Sequence, residues 1–242
     1  MCGRYSLDSP LDDILSYFDI SIAGEILAQT NLQPRYNIAP TQPVLIVRNH
    51  PDQKHRELMP VEWGLMAEWM KEKPPKPLIN ARLETVLQKP SFKANVIHRR
   101  CLFPMNGFYE WKTIEGQKQP FFISLKDSPL MAVAGIWSLW HGPDGEHMLE
   151  TAAMITRGAN QDIRPVHHRM PMVVGQNQFD LWLNGGEVRV QNILDQIPPL
   201  GLGKVLLTPV SKQVNDIYKD HEGLIQPIEL DEKPKQASLF GD

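Results

Sequence analysis

Cys2 carries the most distinctive chemistry in the chain. Cysteine is small enough at position 2 to permit removal of the initiator methionine, which leaves an amine and a thiol on adjacent carbons. An α-amine titrates near about 7.7–8.0, so about a tenth is neutral at pH 7, whereas a lysine near about 10.4 offers less than about one part in a thousand. A free N-terminus is therefore the better Schiff-base nucleophile. The thiol, near about 8.5, is partly thiolate and can add to the resulting imine, closing a five-membered thiazolidine ring. An N-terminal cysteine is thus chemically matched to an aldehyde. By position alone, a cysteine with no role is the simpler reading, and while Met1 remains there is no aminothiol.

Four further groups of residues have types and spacings suited to chemistry. Glu110 lies in Gly107–Lys112 (GFYEWK). If Cys101–Trp111 is one strand, Phe108, Glu110 and Lys112 share a face and Tyr109 and Trp111 share the other. A carboxylate among aromatics is partly desolvated, which raises its pKa toward acid–base duty; a glutamate on a solvated edge strand would have no such role. The run His167-His168-Arg169-Met170-Pro171 places imidazoles beside a guanidinium, suited to proton transfer and phosphate contact, or to a plain pair of surface histidines. In a strand, adjacent histidines point to opposite faces, so at most one faces a site. In Asn80–Thr85 (NARLET), Asn80 and Arg82 project together if the segment is extended, one to orient a ligand and one to bind phosphate; a helix start capped by asparagine is the alternative. Trp63–Met70 (WGLMAEWM) offers aromatics that stack on bases or pack in a core, and core packing is favoured for Trp63.

The elements that must position these residues are mostly strands. The patterns predict strands at Val44–Val47, Glu57–Trp63, Cys101–Trp111, Pro120–Leu125, Met131–Trp137, Met148–Thr156, Met172–Val174 and Val205–Pro209. A helix is predicted over Ser9–Phe18, capped by Ser9, with Leu11, Ile14, Leu15 and Phe18 on one face. Short helices are predicted at Phe179–Leu183 and Val188–Ile197. The 21 prolines are spread out, which fits a strand-rich fold with irregular loops. The expected class is α+β, a mainly antiparallel, barrel-like β-sheet with short flanking helices. The body is expected to span residues 1–228, with residues 229–242 a polar, flexible tail.

Composition narrows the function classes. Hydrophobic residues at 42% and charged residues at 22% fit a soluble globular chain. No apolar run approaches the ~18 residues of a membrane span, and the N-terminus lacks a signal-peptide pattern, so the cytoplasm is the expected compartment. Two cysteines exclude a disulfide framework. No paired CxxC and no HExxH occurs, so no metal site and no cofactor is expected. The net charge of −3 requires any DNA site to be a local basic groove.

Taken in order, MCGRYSL, RYNIAP (Arg35–Pro40), WGLMAEW (Trp63–Trp69), INARLET (Ile79–Thr85), FPMNGFYEWK (Phe103–Lys112), AVAGIW (Ala132–Trp137), ITRGAN…VHHRMP (Ile155–Pro171) and LLTPVSKQVN (Leu206–Asn215) resemble the SRAP family, the abasic-site processing proteins. The resemblance runs to about Pro227. It implies the SRAP fold and a protein that senses abasic sites in single-stranded DNA and cross-links to them through Cys2 once Met1 is gone. It further implies that Asn80 positions the reacting groups, that Glu110 is the acid–base, and that His167 moves protons and reverses the link. Arg4, Arg82 and Arg169 are implied as phosphate contacts, Asn37 and Thr156 as site-lining groups, and Trp69 as an aromatic wedge. β-Elimination at the imine and autocatalytic removal of Met1 are also implied. His168 stands where the family commonly has aspartate, so His167 is expected to be tuned differently here.

Gln236-Ala237-Ser238-Leu239-Phe240 resembles the short motif with which bacterial proteins dock on the polymerase sliding clamp; Gln236, Leu239 and Phe240 would carry it. A monomer is expected. Two other readings stay open: an N-terminal-cysteine peptidase or amidohydrolase acting on peptides, and a non-catalytic DNA-binding module.

Overall fold

The computed structural model describes residues 2–20, 33–50, 55–145, 148–184 and 190–230. Thirteen strands and four short helices are assigned among them. The strands are β1 (Tyr5–Leu7), β2 (Arg35–Ile38), β3 (Pro43–Asn49), β4 (Arg56–Trp63), β5 (Asn80–Arg82), β6 (Arg100–Met105), β7 (Gly107–Ile114), β8 (Gln117–Leu125), β9 (Met131–Trp140), β10 (Leu149–Gly158), β11 (Arg169–Pro171), β12 (Val173–Val174) and β13 (Val205–Pro209). The helices are α1 (Leu11–Tyr17), α2 (Pro90–His98), α3 (Phe179–Leu183) and α4 (Val190–Gln196).

Strands β4, β3, β6, β9 and β10 close on one another into a five-stranded barrel. One seam, β10 on β4, is parallel, and the other four are antiparallel. Closure removes the unpaired edges that an open sheet would present. The barrel wall is apolar: all six residues of β6 are buried, as are the first six of β9. The second layer is an open sheet of order β13-β8-β7-β1-β2. The expected α+β class with a mainly antiparallel, barrel-like sheet is what the chain forms.

One expectation fails where it matters most. Cys101–Trp111 is not one strand. The chain runs in the barrel as β6, leaves at Asn106 and enters the second sheet as β7. Asn106 fixes the change of sheet: its amide N–H donates to the Ser6 carbonyl at 2.9 Å, its Oδ1 accepts from the Asp8 amide at 2.8 Å, and its Nδ2 donates to Ser9 Oγ at 2.7 Å. Both halves are extended, so their periodicity reads through the break. Those bonds also overturn the expected Ser9 cap, because Pro10 occupies the N-cap of α1 and no side chain caps it. The apolar face of α1 is as expected: Ile14 and Phe18 are buried, with Leu11 and Leu15 against the core. The stripe Val190, Ile193, Leu194 and Ile197 is likewise buried.

Gly107 opens β7 and has no room for a side chain. A Cβ there would lie 2.4 Å from Phe122 Cζ and 2.7 Å from the Ile123 carbonyl oxygen. Gly107→Ala is therefore expected to destabilise the fold by about 1–3 kcal/mol, measured as a lower denaturant midpoint. The β7–β8 hairpin turns at Glu115-Gly116, with φ of 49° and 78°, the backbone of a tight turn whose twist matches the strands. No helix among the described residues is long and apolar enough to cross a membrane. Toward the end of the described chain, the Ile228 amide bonds the Pro209 carbonyl at 2.9 Å. The tail residues Gln236, Leu239 and Phe240 lie outside the described residues.

Candidate active site

The N-terminal segment is threaded between two strands. Tyr5 pairs with Phe108 on one side and with Ile38 on the other, and the Tyr109 amide bonds the Arg4 carbonyl at 2.9 Å. This lays Cys2 beside the stretch of β7 that bears Glu110. Asn80 and His167 come from the other layer. β5 pairs in parallel with β10, Asn80 opposite Met154. His167 ends a turn in which its amide bonds the Ile163 carbonyl at 3.0 Å, just before β11.

Two polar contacts among the candidate residues cross between the layers. Asn80 Nδ2 donates to the Cys2 carbonyl at 2.7 Å. His167 Nδ1 lies 3.6 Å from Glu110 Oε1. Cys2, Asn80, Glu110 and His167, far apart in sequence, thus meet where the barrel abuts the second sheet. Asn80 Oδ1 is buried with no hydrogen-bond partner. A buried acceptor left unpaired is costly unless an incoming donor uses it.

The environment shifts these groups in useful directions. Glu110 is only 3% exposed. Burial raises its carboxyl above the ordinary range, with positive groups including His168 and Lys118 pulling the other way. The solvated edge-strand glutamate is thereby excluded. Burial lowers His167 below the ordinary imidazole value. Their proton affinities converge, which suits a proton shared between them. His167 Nδ1 also sits 3.1 Å from both the amide N and the carbonyl O of Arg169, so the ring is oriented by its own strand whichever tautomer it adopts. The Cys2 thiol is fully buried, and burial, together with the neighbouring Glu110 charge, pushes it well above the thiol range. The partly ionised thiol expected for exposed cysteine is not its state here, so its proton needs an acceptor when sulfur reacts.

His167 and His168 do not diverge as residues of a strand would. They precede β11, and their ring centroids are 4.4 Å apart. His168 is exposed, and the neighbouring His167 lowers its pKa.

The remaining expected residues divide into two groups. Arg82 and Trp69 are exposed, Trp69 at 62%. Arg4, Asn37, Thr156 and Arg169 are already engaged. Arg4 Nη1 donates to Asn37 Oδ1 at 2.7 Å and to the Val214 carbonyl at 2.6 Å. Asn37 is buried, and its Nδ2 donates to the carbonyls of Asp216 and Lys219 at 2.9 and 2.7 Å. Arg169 makes a bidentate pair with Glu84, which holds that carboxyl below its ordinary value. Trp63 is fully buried, its indole N–H on the Ile79 carbonyl at 3.0 Å, as the core reading has it. Sequence reasoning passed over Glu84, Asn106 and Asn215; the last accepts from the Trp111 indole at 2.8 Å, beside Glu110. NARLET contains Glu84 in plain view, but only the fold reveals its partner.

The family model for SOS response associated peptidase (SRAP) matches residues 1–217. The chain belongs to the SRAP family. It is 35% identical over 228 residues to the abasic site processing protein YoqW of Bacillus subtilis, covering 93% of this chain and 99% of that one. It is 34% identical over 236 residues to the abasic site processing protein HMCES of Gallus gallus, covering 85% and 70%. A crystal structure of a protein from Bacteroides thetaiotaomicron superposes with a TM-score of 0.82 at 23% identity, covering 94% of this chain and all of that one. That likeness speaks to the SRAP fold alone.

Proposed function

We propose that this protein captures abasic sites in single-stranded DNA as a covalent thiazolidine formed with Cys2 after Met1 is removed. The observation that carries the reading is the pair of contacts across the two layers, Asn80 to the Cys2 carbonyl and His167 to a buried Glu110.

The abasic sugar is a cyclic hemiacetal. Glu110 takes the proton of its C1′ hydroxyl and passes it on to O4′, and the ring opens to the aldehyde. The Cys2 amine adds to C1′. Glu110 carries the two amine protons in turn to the former aldehyde oxygen, which leaves as water and gives the neutral imine. Cys2 Sγ then adds to C1′, and the thiol proton passes by way of Glu110 to the former imine nitrogen. The sum is aldehyde plus aminothiol to thiazolidine plus one water. Neutral His167 accepts and returns protons beside Glu110, and run backward the same path reverses the link. Asn80 holds the Cys2 backbone, and its unpaired Oδ1 is suited to a hydroxyl or amine donor. At the imine stage, proton loss at C2′ permits β-elimination. Hydrolysis of the Met1–Cys2 peptide by the same groups is the family's peptidase step.

Arg82, His168 and Trp69 are the exposed groups available to strand and bases. Covalent capture lets equilibrium affinity be modest on a chain of net charge −3. Two free, buried cysteines suit the reducing cytoplasm, and a monomer suffices for the site. The test is a denaturing gel for the adduct and a native gel for binding, each with abasic and intact single strands, and, separately, incubation with peptides that do not begin with methionine-cysteine. An adduct with the abasic strand alone is expected. Turnover of such a peptide without DNA would favour the peptidase reading, and equal non-covalent binding of both strands would favour a plain binding module.

We further propose that Gln236, Leu239 and Phe240 dock the protein on the sliding clamp, two bulky apolar residues near the end of a polar segment. Leu239→Ala with Phe240→Ala should lower clamp affinity by about tenfold or more in a surface-binding assay; unchanged affinity would remove the proposal.

A further inference from the structure

Helix α2 and the loop that carries Trp69 enclose a slot of about 280 Å³ that the steps above do not use. Ala67, Glu68 and Trp69 line it from the loop, and Pro90, Ala94 and Asn95 line it from the helix. Residues four apart share a helix face, so Pro90 and Ala94 form one short, apolar wall. The slot is held open by bonds on both flanks. Arg99, the C-cap of α2, donates from Nη1 to Glu68 Oε2 at 2.9 Å and ties the helix to the loop. The Trp140 indole N–H donates to the Met70 carbonyl at 2.6 Å, one residue past Trp69. Arg100, on the first position of β6, donates from Nη1 to the Val96 and Ile97 carbonyls at 2.9 Å each and fixes the end of the helix to the barrel.

The lining has the chemistry of a base site. Asn95 is 5% exposed, and its carboxamide makes no side-chain hydrogen bond among the described residues. A buried amide without partners costs stability unless a ligand supplies them. The group both donates and accepts, as the edge of a base does. Trp69 presents an open indole face on which a base can stack. The one carboxylate in the lining, Glu68, is paired with Arg99, and the exposed Lys89 and Lys93 flank Pro90 and Ala94 in the chain. The slot also flanks the strand that bears Asn80. The Leu65 amide bonds the Leu78 carbonyl at 3.1 Å and the Trp63 indole bonds the Ile79 carbonyl at 3.0 Å, so the loop runs along the approach to β5. Helix α2 follows β5 after the turn Leu83–Thr85.

We infer that this slot takes an unstacked nucleobase of the bound strand, with Trp69 against its face and Asn95 on its edge. Adenine, whose N6 amino group and N7 set a donor beside an acceptor, is the base a carboxamide reads best. The inference rests on the single-strand DNA reading above.

Equilibrium binding tests it apart from the covalent step. The probe is a labelled single strand in which a tetrahydrofuran spacer replaces the abasic sugar. At each flanking position in turn it carries one of the four bases or a second spacer. At one position the second spacer should weaken binding to the full-length protein by about tenfold, and adenine there should bind tighter than the weakest base by about tenfold. Ala94→Leu fills the slot from an exposed helix position and should erase the dependence on that base. Asn95→Ala should keep the effect of the spacer and erase the preference among bases. A melting curve checks that both variants fold. Affinity that no second spacer changes overturns the slot, as do equal binding of the four bases, a base dependence that survives Ala94→Leu, and a preference that survives Asn95→Ala. The strand with a true abasic site, run on a denaturing gel, reports on the covalent step separately. An adduct without base dependence sinks the slot alone, base dependence without an adduct sinks cross-linking alone, and no binding of any strand sinks both.

Discussion

Replacing Cys2 with alanine is expected to abolish the heat-stable adduct and to leave a species that appears only when borohydride is present. Alanine, like cysteine, is small enough to permit removal of Met1, so the variant keeps a free α-amine. That amine still condenses with the aldehyde. Without sulfur the imine cannot close, and it returns to aldehyde and amine by hydrolysis. Borohydride reduces the C=N bond to a secondary amine and so fixes what would otherwise be lost. The yield of stable adduct should fall by about 100-fold or more, because a covalent step has lost its nucleophile. The fold should survive: Cys2 is buried in the core cluster, but only one sulfur atom is removed, a change costing about 1 kcal/mol. A Cys2→Ala protein that forms the stable adduct at the parent rate would show that sulfur has no part in it.

Glu110→Gln separates chemistry from stability. The amide fits the same space but cannot move protons, so the cross-linking rate should fall by about 100-fold or more. Stability should move the other way. Burial raises the Glu110 pKa in the folded protein above its unfolded value, so the native state binds the proton more tightly than the unfolded chain. Unfolding free energy then falls as pH rises from the ordinary carboxylate range through the raised folded value. At neutral pH the ionised, desolvated carboxylate is a cost that glutamine does not bear. Glu110→Gln should therefore melt above the parent protein at neutral pH, and the difference should shrink as pH falls below the unfolded carboxylate value. A variant that melts lower at neutral pH would mean that the carboxylate's contacts outweigh its desolvation.

The four central residues were legible in the sequence because three of them sit in segments whose residue types already suggest chemistry, and Cys2 is unusual by position. Their meeting was not legible. Glu110 lies on β7 because the chain changes sheets at Asn106; the Asn106-Gly107 pair is a turn signal, but the extended runs on either side continue through it and masked it. β1 and β2 have three and four residues, too few for alternation to declare itself; β1 carries the N-terminus to the site and β2 pairs along it. Helix α2 did leave a trace, Pro90 at its first turn and the buried Phe92 and Val96 four residues apart. Its polar remainder, with Asn95 buried between them, diluted the stripe. The arginines and Asn37 show the limit from the other side. Their types suit phosphate and ligand, yet Arg4, Asn37 and Arg169 already hold protein partners, while Arg4 Nε and Arg169 Nε are buried donors without one. A donor's type is written in the sequence; whether it is already occupied is decided by tertiary structure.

The most direct measurement is the intact mass of the protein before and after exposure to a single-stranded oligonucleotide with one abasic site. The protein alone should have lost Met1. After exposure, a species should appear at the mass of the Met1-free protein plus the oligonucleotide less one water, without any reductant, and fragmentation should place the added mass on Cys2. An unmodified mass from Met1-free protein, or an adduct mapped to any other residue, would contradict the account.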